Sequence, residues 1–167
     1  MNGRIVVRMA STEDAEAISL ILCTSIRSGC VIDHGDRHEV VNAWTENKSV
    51  ATVLKWVEDT SLYLVVATLG SKPVGVGMAT ATGEISLCYV LPEYFRRGLG
   101  KAIMTTLEQW LKGKGFHCVV LNSTISGYHF YKRLGYCDNG EKIVVIGLTA
   151  SPMLKDIDAI EFDSCVQ

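Results

Sequence analysis

The segment from Leu87 to Lys101 carries the clearest chemical signal in the sequence. An apolar run leads into a loop with two arginines and two glycines, and a helical pattern follows. Glycines at the first turn of a helix let backbone N–H groups approach an anion, and the positive end of the helix dipole favours that anion. Three side chains, Arg96, Arg97 and Lys101, add positive charge suited to phosphate. The segment therefore predicts a turn that binds a pyrophosphate group.

Two other phosphate-binding motifs do not fit this segment. A Walker A loop is excluded because no G-x-x-x-x-G-K-[ST] pattern is present. The dinucleotide fingerprint is excluded because no third glycine follows Gly98 and Gly100 at the required spacing. By itself, a Gly-x-Gly pair before a helix is equally compatible with an ordinary tight turn whose arginines face solvent.

A second motif lies downstream, at residues 127–136, and reads Gly-Tyr-His-Phe-Tyr-Lys-Arg-Leu-Gly-Tyr. Taken together, the two motifs closely resemble the GNAT superfamily of N-acetyltransferases. That family has Gln/Arg-x-x-Gly-x-Gly/Ala at a helix start, after a strand that ends like Tyr-Val-x-Pro-Glu-Tyr, and a later motif like Phe-Tyr-x-x-Leu-Gly-Phe. The matching residues here are Tyr89–Tyr94, Gly98–Gly100 and Phe130–Tyr136. The resemblance covers about residues 4–150, most of the chain.

The sequence departs from the family pattern at two positions. Phe95 stands where the family has Gln or Arg, three residues before the first glycine, and the basic residues are shifted to Arg96 and Arg97. Backbone contacts to a pyrophosphate do not need that side chain, so we expect binding without the side-chain contact. Gly127 stands where the family often has alanine, four residues before the tyrosine.

The resemblance implies acetyl-CoA as cosubstrate and assigns residues that bind it. In the family, the strand before the loop splays from its neighbour, and its free backbone groups hold the pantetheine arm and polarise the acetyl carbonyl. Polar residues near the pantetheine fall on Thr124 and Ser126. The implied binding residues of the strand and the loop are Cys88, Tyr89, Val90, Phe95, Arg96, Arg97, Gly98, Leu99, Gly100 and Lys101.

Acetyl transfer to an amine needs a base for the ammonium proton, donors for the developing oxyanion and an acid for the departing thiolate. By resemblance, Tyr131 is the general acid, since a phenol stays protonated at neutral pH; the alternative is that it only packs on a short helix. Glu84, which opens the strand leading to the loop, is the candidate base, and the alternative is a solvated residue at the strand edge. His129 is interpreted as a surface histidine.

The N-terminal region resembles a bacterial GNAT subgroup, notably at Cys30-x-x-Asp33-His34. We predict that Asp33 and His34 line the acceptor pocket, and the alternative is that they are ordinary loop residues. Cys30, Asp33, His34 and His38 are also of metal-ligating types. Because no second ligand cluster is spaced for a structural zinc site, we expect no metal.

The order of the predicted elements is strand, helices, three-strand meander, helix, strand, helix, strand. This order predicts an α/β (α+β) fold with a GNAT-like mixed, mostly antiparallel central sheet flanked by helices. The predicted strands are Arg4–Met9, Leu62–Thr68, Val74–Ala81, Glu84–Leu91, Phe116–Leu121 and Ile143–Leu148. The first predicted helix begins after Ser11, and the others lie at His38–Trp44, around Val50–Val57, at Leu99–Leu111 and at Tyr128–Leu134. Residues Cys30–Arg37 are predicted to form a loop.

Length and composition fit one acetyltransferase domain over residues 1–167, with a core at about 4–150 and a C-terminal strand or tail at 151–167. The net charge of −2 provides no basic field for nucleic acid, although Lys112, Lys114, Lys132 and Arg133 form a local patch. No apolar run approaches the ~20 residues of a membrane span, and no export signal is present. We therefore expect a cytoplasmic protein, with no membrane partner, whose cysteines are reduced. The six cysteines are Cys23, Cys30, Cys88, Cys118, Cys137 and Cys165.

The leading functional hypothesis is an acetyl-CoA-dependent N-acetyltransferase that moves the acetyl group to a primary amine by direct attack in a ternary complex. The alternative is a non-catalytic acyl-CoA sensor on the same fold, and a further alternative is a metal-binding protein that uses His34. The sequence does not identify the amine acceptor. Relatives that pair through their C-terminal strands imply a homodimer.

Overall fold

The computed structural model describes residues 3–158. Within that range the strands are β1 (Ile5–Met9), β2 (Leu62–Leu69), β3 (Lys72–Thr80), β4 (Ile85–Val90), β5 (Cys118–Ser123), β6 (Cys137–Asp138), β7 (Ile143–Val145) and β8 (Leu148–Asp156). The α-helices of the same range are α1 (Ala15–Thr24), α2 (Val31–His34), α3 (His38–Thr45), α4 (Val50–Glu58), α5 (Leu99–Gly113) and α6 (Tyr128–Arg133). A π-helical segment, Ser25–Gly29, joins α1 to α2, and single 3₁₀ turns lie at Thr12–Asp14, Glu46–Lys48 and Pro92–Tyr94.

Four strands form an antiparallel sheet in the order β1-β2-β3-β4. Helix α5 packs on one face of this sheet and α1 on the other, so the central strand β3 is buried on both sides. Gly75 and Gly77 permit this packing, because a Cβ at either position would collide with Ile103 of α5. The mixed α+β class and the antiparallel meander predicted from the sequence are confirmed.

The remaining strands form a second sheet in the order β5-β8-β6, and β7 pairs with the first residues of β8. A single parallel bridge between Glu84 and Val120 connects the two sheets at the start of β4. Within residues 3–158 no further bridge joins β4 to β5 beyond this point, and β5 is paired along its other edge with β8. A cleft lies between the end of β4 and the end of β5.

Two expectations about local structure were wrong. The predicted strand Ile143–Leu148 is broken by a turn at Ile146 and Gly147, where φ is 47° and 78°. A β-branched residue rarely adopts positive φ, so the alternation of apolar residues gave no sign of this turn. The chain then continues as strand β8 to Asp156, so the segment from Ser151, expected as a strand or tail, begins as a strand. Residues 159–167, including Cys165, lie outside the described part.

The second difference concerns the predicted loop Cys30–Arg37, which contains the short helix α2. Four residues are too few to display a helical period, and α2 is held by side-chain contacts rather than by an apolar face. Gly35 ends the helix in the left-handed conformation, with φ 55°.

The interior divides into a large core and a small one. The large core joins α1, α4 and α5 to the first sheet and reaches Met153 in β8. The small cluster consists of Ile26, Cys30, Val40, Trp44 and Leu148, and Tyr89 packs against it. The segment from the π-helix to α3 is therefore attached to the sheets through its own minor core. None of the helices in residues 3–158 has the length and apolarity that a bilayer crossing requires.

Candidate active site

A cavity of about 460 Å³ occupies the cleft between β4 and β5. It is bordered by the π-helical segment, the loop before α5 and helix α6. Among the predicted site residues, those that line it are Cys88, Tyr89, Val90, Phe95, Arg96, Gly98, Leu99, Gly100, Lys101, Thr124, Ser126 and Tyr131. The structure thus brings most of the predicted cofactor residues and the predicted acid to one cavity.

The backbone of β4 faces this cleft with groups that its partner strand does not use. Leu91 donates its N–H to Val74, and pairing alternates along an antiparallel ladder, so Tyr89 and Leu87 also bond to β3. The intervening residues Cys88 and Val90 must direct their N–H and C=O groups to the opposite side, toward the cleft. Consistently, the carbonyl of Val90 accepts a hydrogen bond from Ser25 Oγ at 3.2 Å.

The side chains of β4 alternate between the two faces of the sheet. Cys88 pairs with Gly77 and therefore lies on the face that carries α5. Tyr89 lies on the other face, against the small cluster around Trp44. The cleft therefore has two differently built walls, one of α5 and α6 and the other of the N-terminal helices.

The loop before α5 has the geometry of an anion-binding turn. Arg96 and Gly98 both have positive φ, 61° and 84°, which brings successive backbone N–H groups to one side. Ala102 makes the first intrahelical hydrogen bond, to Gly98, so the N–H groups of Leu99, Gly100 and Lys101 project from the helix end. A Cβ at Gly100 would lie 2.9 Å from the ring of Phe130, so this glycine also lets α6 approach.

Two side chains of this loop, those of Phe95 and Arg97, offer no positive charge to the cavity. Phe95, in the place of the family's Gln or Arg, is 52% exposed, and its ring borders the cavity near Gly29 of the π-helix. Arg97 does not line the cavity; its guanidinium lies over the ring of Tyr94, 5.3 Å from the centroid. A side-chain contact to phosphate is therefore left to Arg96 and Lys101.

Tyr131 lies on α6 with its ring between two other aromatic rings. Phe130 and Tyr136 are 5.1 and 5.8 Å away between centroids. Burial raises the pKa of Tyr131 well above its ordinary value, and the nearby Cys88 and Tyr89 raise it further. The phenol is therefore protonated at neutral pH, as a general acid for a thiolate must be.

Burial also suppresses ionisation of three other side chains in the cavity wall, those of Cys30, Cys88 and Tyr89. It raises the pKa of the Cys88 thiol to about 12 and that of Cys30 to about 11. Tyr89 has a raised pKa for the same reason, and Cys30 beside it adds to the effect. These thiols and phenols are neutral at physiological pH, so the walls of the cleft next to β4 carry no negative charge from them.

The two residues predicted to bind the acceptor, Asp33 and His34, lie in α2 and do not line the cavity. His34 is 1% exposed. Its Nδ1 accepts the N–H of Asp36, so the ring proton is on Nε2. Nε2 donates to the carbonyl of Ile26 at 2.9 Å. Asp33 accepts hydrogen bonds from Ile125 and Ser126. The structure therefore gives both side chains partners within the fold.

The predicted base, Glu84, lies at the bridge between the two sheets and is half-buried. Its side chain does not line the cavity, although its neighbour Ile85 does. No cluster of three or more His, Cys, Asp or Glu side chains suited to a metal occurs in residues 3–158.

Sequence reasoning missed several residues of the cleft. Ser86 could have been found from strand alternation, because it lies two residues from Cys88 on β4. Asn122 lies near the end of β5, two residues before the predicted Thr124. Ser25, Gly29 and Cys30 approach from the π-helical segment, and no local pattern shows that this segment faces β4. The missed lining residues are Ser25, Gly29, Cys30, Ile85, Ser86, Tyr94, Asn122, Gly127, Phe130 and Arg133.

Solved structures share this architecture over almost their whole length. A GCN5-related N-acetyltransferase from Rhodopseudomonas palustris superposes with a TM-score of 0.82, at 21% identity, over 93% of this chain and 98% of the other. The PaiA N-acetyltransferase of Thermoplasma acidophilum, solved in complex with coenzyme A, has a TM-score of 0.80 at 21% identity, with coverages of 92% and 99%. YncA of Salmonella typhimurium, solved with acetyl-CoA, has a TM-score of 0.69 at 16% identity, with coverages of 98% and 99%.

Sequence comparison identifies relatives in Bacillus subtilis. The uncharacterized protein YyaT is 32% identical over 91 residues, and a second protein, whose name suggests an acetyltransferase, is 31% identical over 90 residues. Each match spans 52% of this chain and 61% of the relative. The sequence profile of the acetyltransferase (GNAT) family matches residues 28–136, which include β4, the loop, α5 and α6. The chain therefore belongs to the acetyltransferase (GNAT) family.

Proposed function

We propose that this protein transfers the acetyl group of acetyl-CoA to a primary amine by direct attack within a ternary complex. The observation that carries the proposal is the cleft between β4 and β5. A strand with unused backbone groups, a helix N-terminus with two left-handed residues and a protonated phenol all border the same cavity.

The residues of the cleft fit the parts of acetyl-CoA in order. The N–H groups at the start of α5, with Arg96 and Lys101, suit the pyrophosphate. The N–H and C=O groups of Cys88 and the N–H of Val90 suit the amides of the pantetheine arm, whereas the carbonyl of Val90 already accepts from Ser25. The polar side chains of Thr124 and Ser126 border the same cavity. Bound there, acetyl-CoA supplies an activated carbonyl and a thiolate leaving group.

The proposed step forms a bond between the amine nitrogen and the acetyl carbon and breaks the bond from that carbon to sulfur. Backbone N–H groups of β4 donate to the carbonyl oxygen as it becomes negative. Tyr131 gives its proton to the departing sulfur, and its raised pKa keeps that proton available at neutral pH. The nitrogen loses its second proton as the amide forms, and that proton restores the phenol of Tyr131 through solvent. The ammonium proton of the acceptor leaves before attack. Glu84 is the proposed base, with water as the connecting group, since its side chain is not at the cavity wall.

Calorimetry with acetyl-CoA tests the binding part of the proposal. We expect micromolar binding by the wild type and none by Gly98→Glu, because a carboxylate would occupy the phosphate position. Gly113→Glu is the matched control, since it places the same side chain at the other end of α5, in open space. Absence of binding by a folded wild type, or equal loss in both variants, would contradict the proposal.

Thiol release in an acceptor screen tests the chemical part. We expect Tyr131→Phe to keep its affinity for acetyl-CoA and to lose about 10²-fold or more in turnover. Glu84→Gln tests the base, with the loss greatest at low pH and recovered as the pH rises toward the pKa of the amine. Binding without turnover over a broad set of amines would favour an acyl-CoA sensor.

A further inference from the structure

Asp33 is a buried carboxylate whose hydrogen bonds cross the molecule. It lies in α2, is 7% exposed, and reaches a turn more than 90 residues later in the sequence. Its Oδ1 accepts the N–H of Ile125 at 2.6 Å and that of Ser126 at 3.4 Å. Its Oδ2 accepts the hydroxyl of Ser126 at 2.5 Å. All three donors are neutral, so the carboxylate is stabilised here by hydrogen bonds.

The turn that Asp33 holds leads directly into the helix of Tyr131. Thr124 Oγ1 accepts the N–H of Gly127 at 3.2 Å and lies 3.2 Å from Ser126 Oγ. The N–H of Tyr131 then donates to the carbonyl of Gly127 at 3.2 Å, at the start of α6. The turn also lies close to the ring of Tyr131: a Cβ added at Gly127 would be only 3.1 Å from Cε2 of that ring. A shift of the turn therefore becomes a shift of the phenol.

Asp33 is itself fixed by the anchors of α2. His34, the next residue, donates to the carbonyl of Ile26 in the π-helical segment. Arg37 donates to the carbonyl of His34 at 3.0 Å and to that of Gly147 at 3.1 Å, in the turn between β7 and β8. Helix α2 thus joins the π-helical segment, the β7–β8 turn and the turn before α6. Its position is set on three sides.

We propose that Asp33 is a positioning residue that holds the turn at residues 124–127, and through it Tyr131, in the geometry needed for proton transfer. This inference rests on the proposed acetyl transfer. It differs from direct acceptor binding, because both oxygens of Asp33 are already engaged and its side chain does not line the cavity. It also explains the acidic residue in α2: the carboxylate couples this helix to the turn before α6.

The structural half of the test does not need activity. Amide hydrogen exchange is measured for Ile125 and Ser126 in the wild type and in Asp33→Ala and Asp33→Asn. We expect faster exchange at both amides in the alanine variant and a smaller change in the asparagine variant, which keeps one acceptor oxygen. Asp36→Asn is the matched control, because Asp36 lies three residues away, is exposed and loses the same charge. Unchanged exchange in Asp33→Ala would overturn the inference even if the enzyme is active.

The kinetic half is a double-mutant cycle with Tyr131→Phe. We expect Asp33→Ala to lower kcat by about tenfold to hundredfold, as a misplaced catalytic group does, with little change in the KM of the acceptor. In the Tyr131→Phe background the same change should cost almost nothing further, because the group it positions is gone. Equal losses in both backgrounds, or an effect confined to the acceptor KM, would overturn the inference. If Asp33→Ala does not fold, Asp33→Asn carries the same cycle.

A wild type that does not turn over any amine would refute the proposed function through the acetyl-CoA assays alone. The exchange measurement would still decide whether Asp33 holds the turn. The two failures are therefore distinguishable.

Discussion

The two ends of the cleft are formed by different kinds of interaction. At the α5 end, the groups that face the cavity are mostly backbone N–H groups, set by the left-handed residues Arg96 and Gly98. At the α2 end, side chains hold the walls. The buried Ser25, Asp33 and His34 each form a hydrogen bond with a backbone group of another element. One end depends on local conformation and the other on long-range contacts.

This difference teaches which kind of site a sequence reveals. A backbone conformation demands particular residue types at fixed spacing, so it leaves a motif such as Gly98-Leu99-Gly100. A side-chain network demands only that two distant residues meet, and neither residue carries a sign of its partner. The same difference predicts that the two ends respond differently to mutation: changes at the α2 end should act first on stability and geometry, and changes at the α5 end on cofactor affinity.

The largest expected effect on stability is at His34. In His34→Ala, the carbonyl of Ile26 and the N–H of Asp36 lose their partner, and a cavity forms next to Trp44. We expect the free energy of unfolding to fall by about 3 kcal/mol, from an unmet buried polar group and the lost packing together. Urea unfolding measures it, and calorimetry should give an affinity for acetyl-CoA close to that of the wild type.

His38→Ala is the control for this substitution, because His38 is exposed on the next helix. We expect it to change stability by less than about 0.5 kcal/mol. A loss of acetyl-CoA affinity in His34→Ala as large as its loss of stability would mean that the two ends are not separate.

The same distinction explains how much could be predicted from the sequence. The strand order, the helix α5 and the residues around Gly98 followed from periodicity and from a motif, both of which are local. The turn at Ile146 and Gly147 and the helix α2 did not, because each is held by hydrogen bonds to residues of other elements. Asp33 and His34 were predicted to line an acceptor pocket, but neither lines the cavity, and their partners, Ser126 and Ile26, could only come from the fold.

A smaller effect is expected from the backbone at the α5 end. Arg96 has a φ of 61°, which is costly for a residue with a Cβ. We expect Arg96→Gly to be more stable than Arg97→Gly by about 1 kcal/mol, because only the first substitution relieves a left-handed residue, while both add the same freedom to the unfolded chain. Urea unfolding of the two variants gives the difference directly.

Calorimetry on the same pair tests what holds the pyrophosphate. We expect each variant to keep acetyl-CoA affinity within about tenfold of the wild type, because the backbone donors remain. If Arg96→Gly abolished binding while Arg97→Gly did not, the side chain rather than the backbone would be the main phosphate contact, and the contrast between the two ends would weaken.

The smallest expected effect is a pH-dependent change in stability that arises at Asp14, just before α1. Arg8 donates two hydrogen bonds of 2.8 Å to Asp14, and the N–H of Ser11 donates a third, which lowers the pKa of Asp14 to about 2 from its ordinary value of 3.8. Since the folded-state pKa lies below that of the unfolded chain, the stabilisation is complete above about pH 4 and is lost as the pH falls toward 2. Arg8 is half-exposed, so solvent screening limits the contribution to about 1 kcal/mol.

Urea unfolding of the wild type and of Asp14→Asn at about pH 5 and about pH 1.5 isolates this contribution, because the lower pH lies below the folded-state pKa of Asp14. We expect the variant to be less stable at the higher pH and nearly equal to the wild type at the lower one, because the other carboxylates titrate alike in both proteins. A constant difference at both pH values would show that Asp14 stabilises the start of α1 by packing rather than by charge.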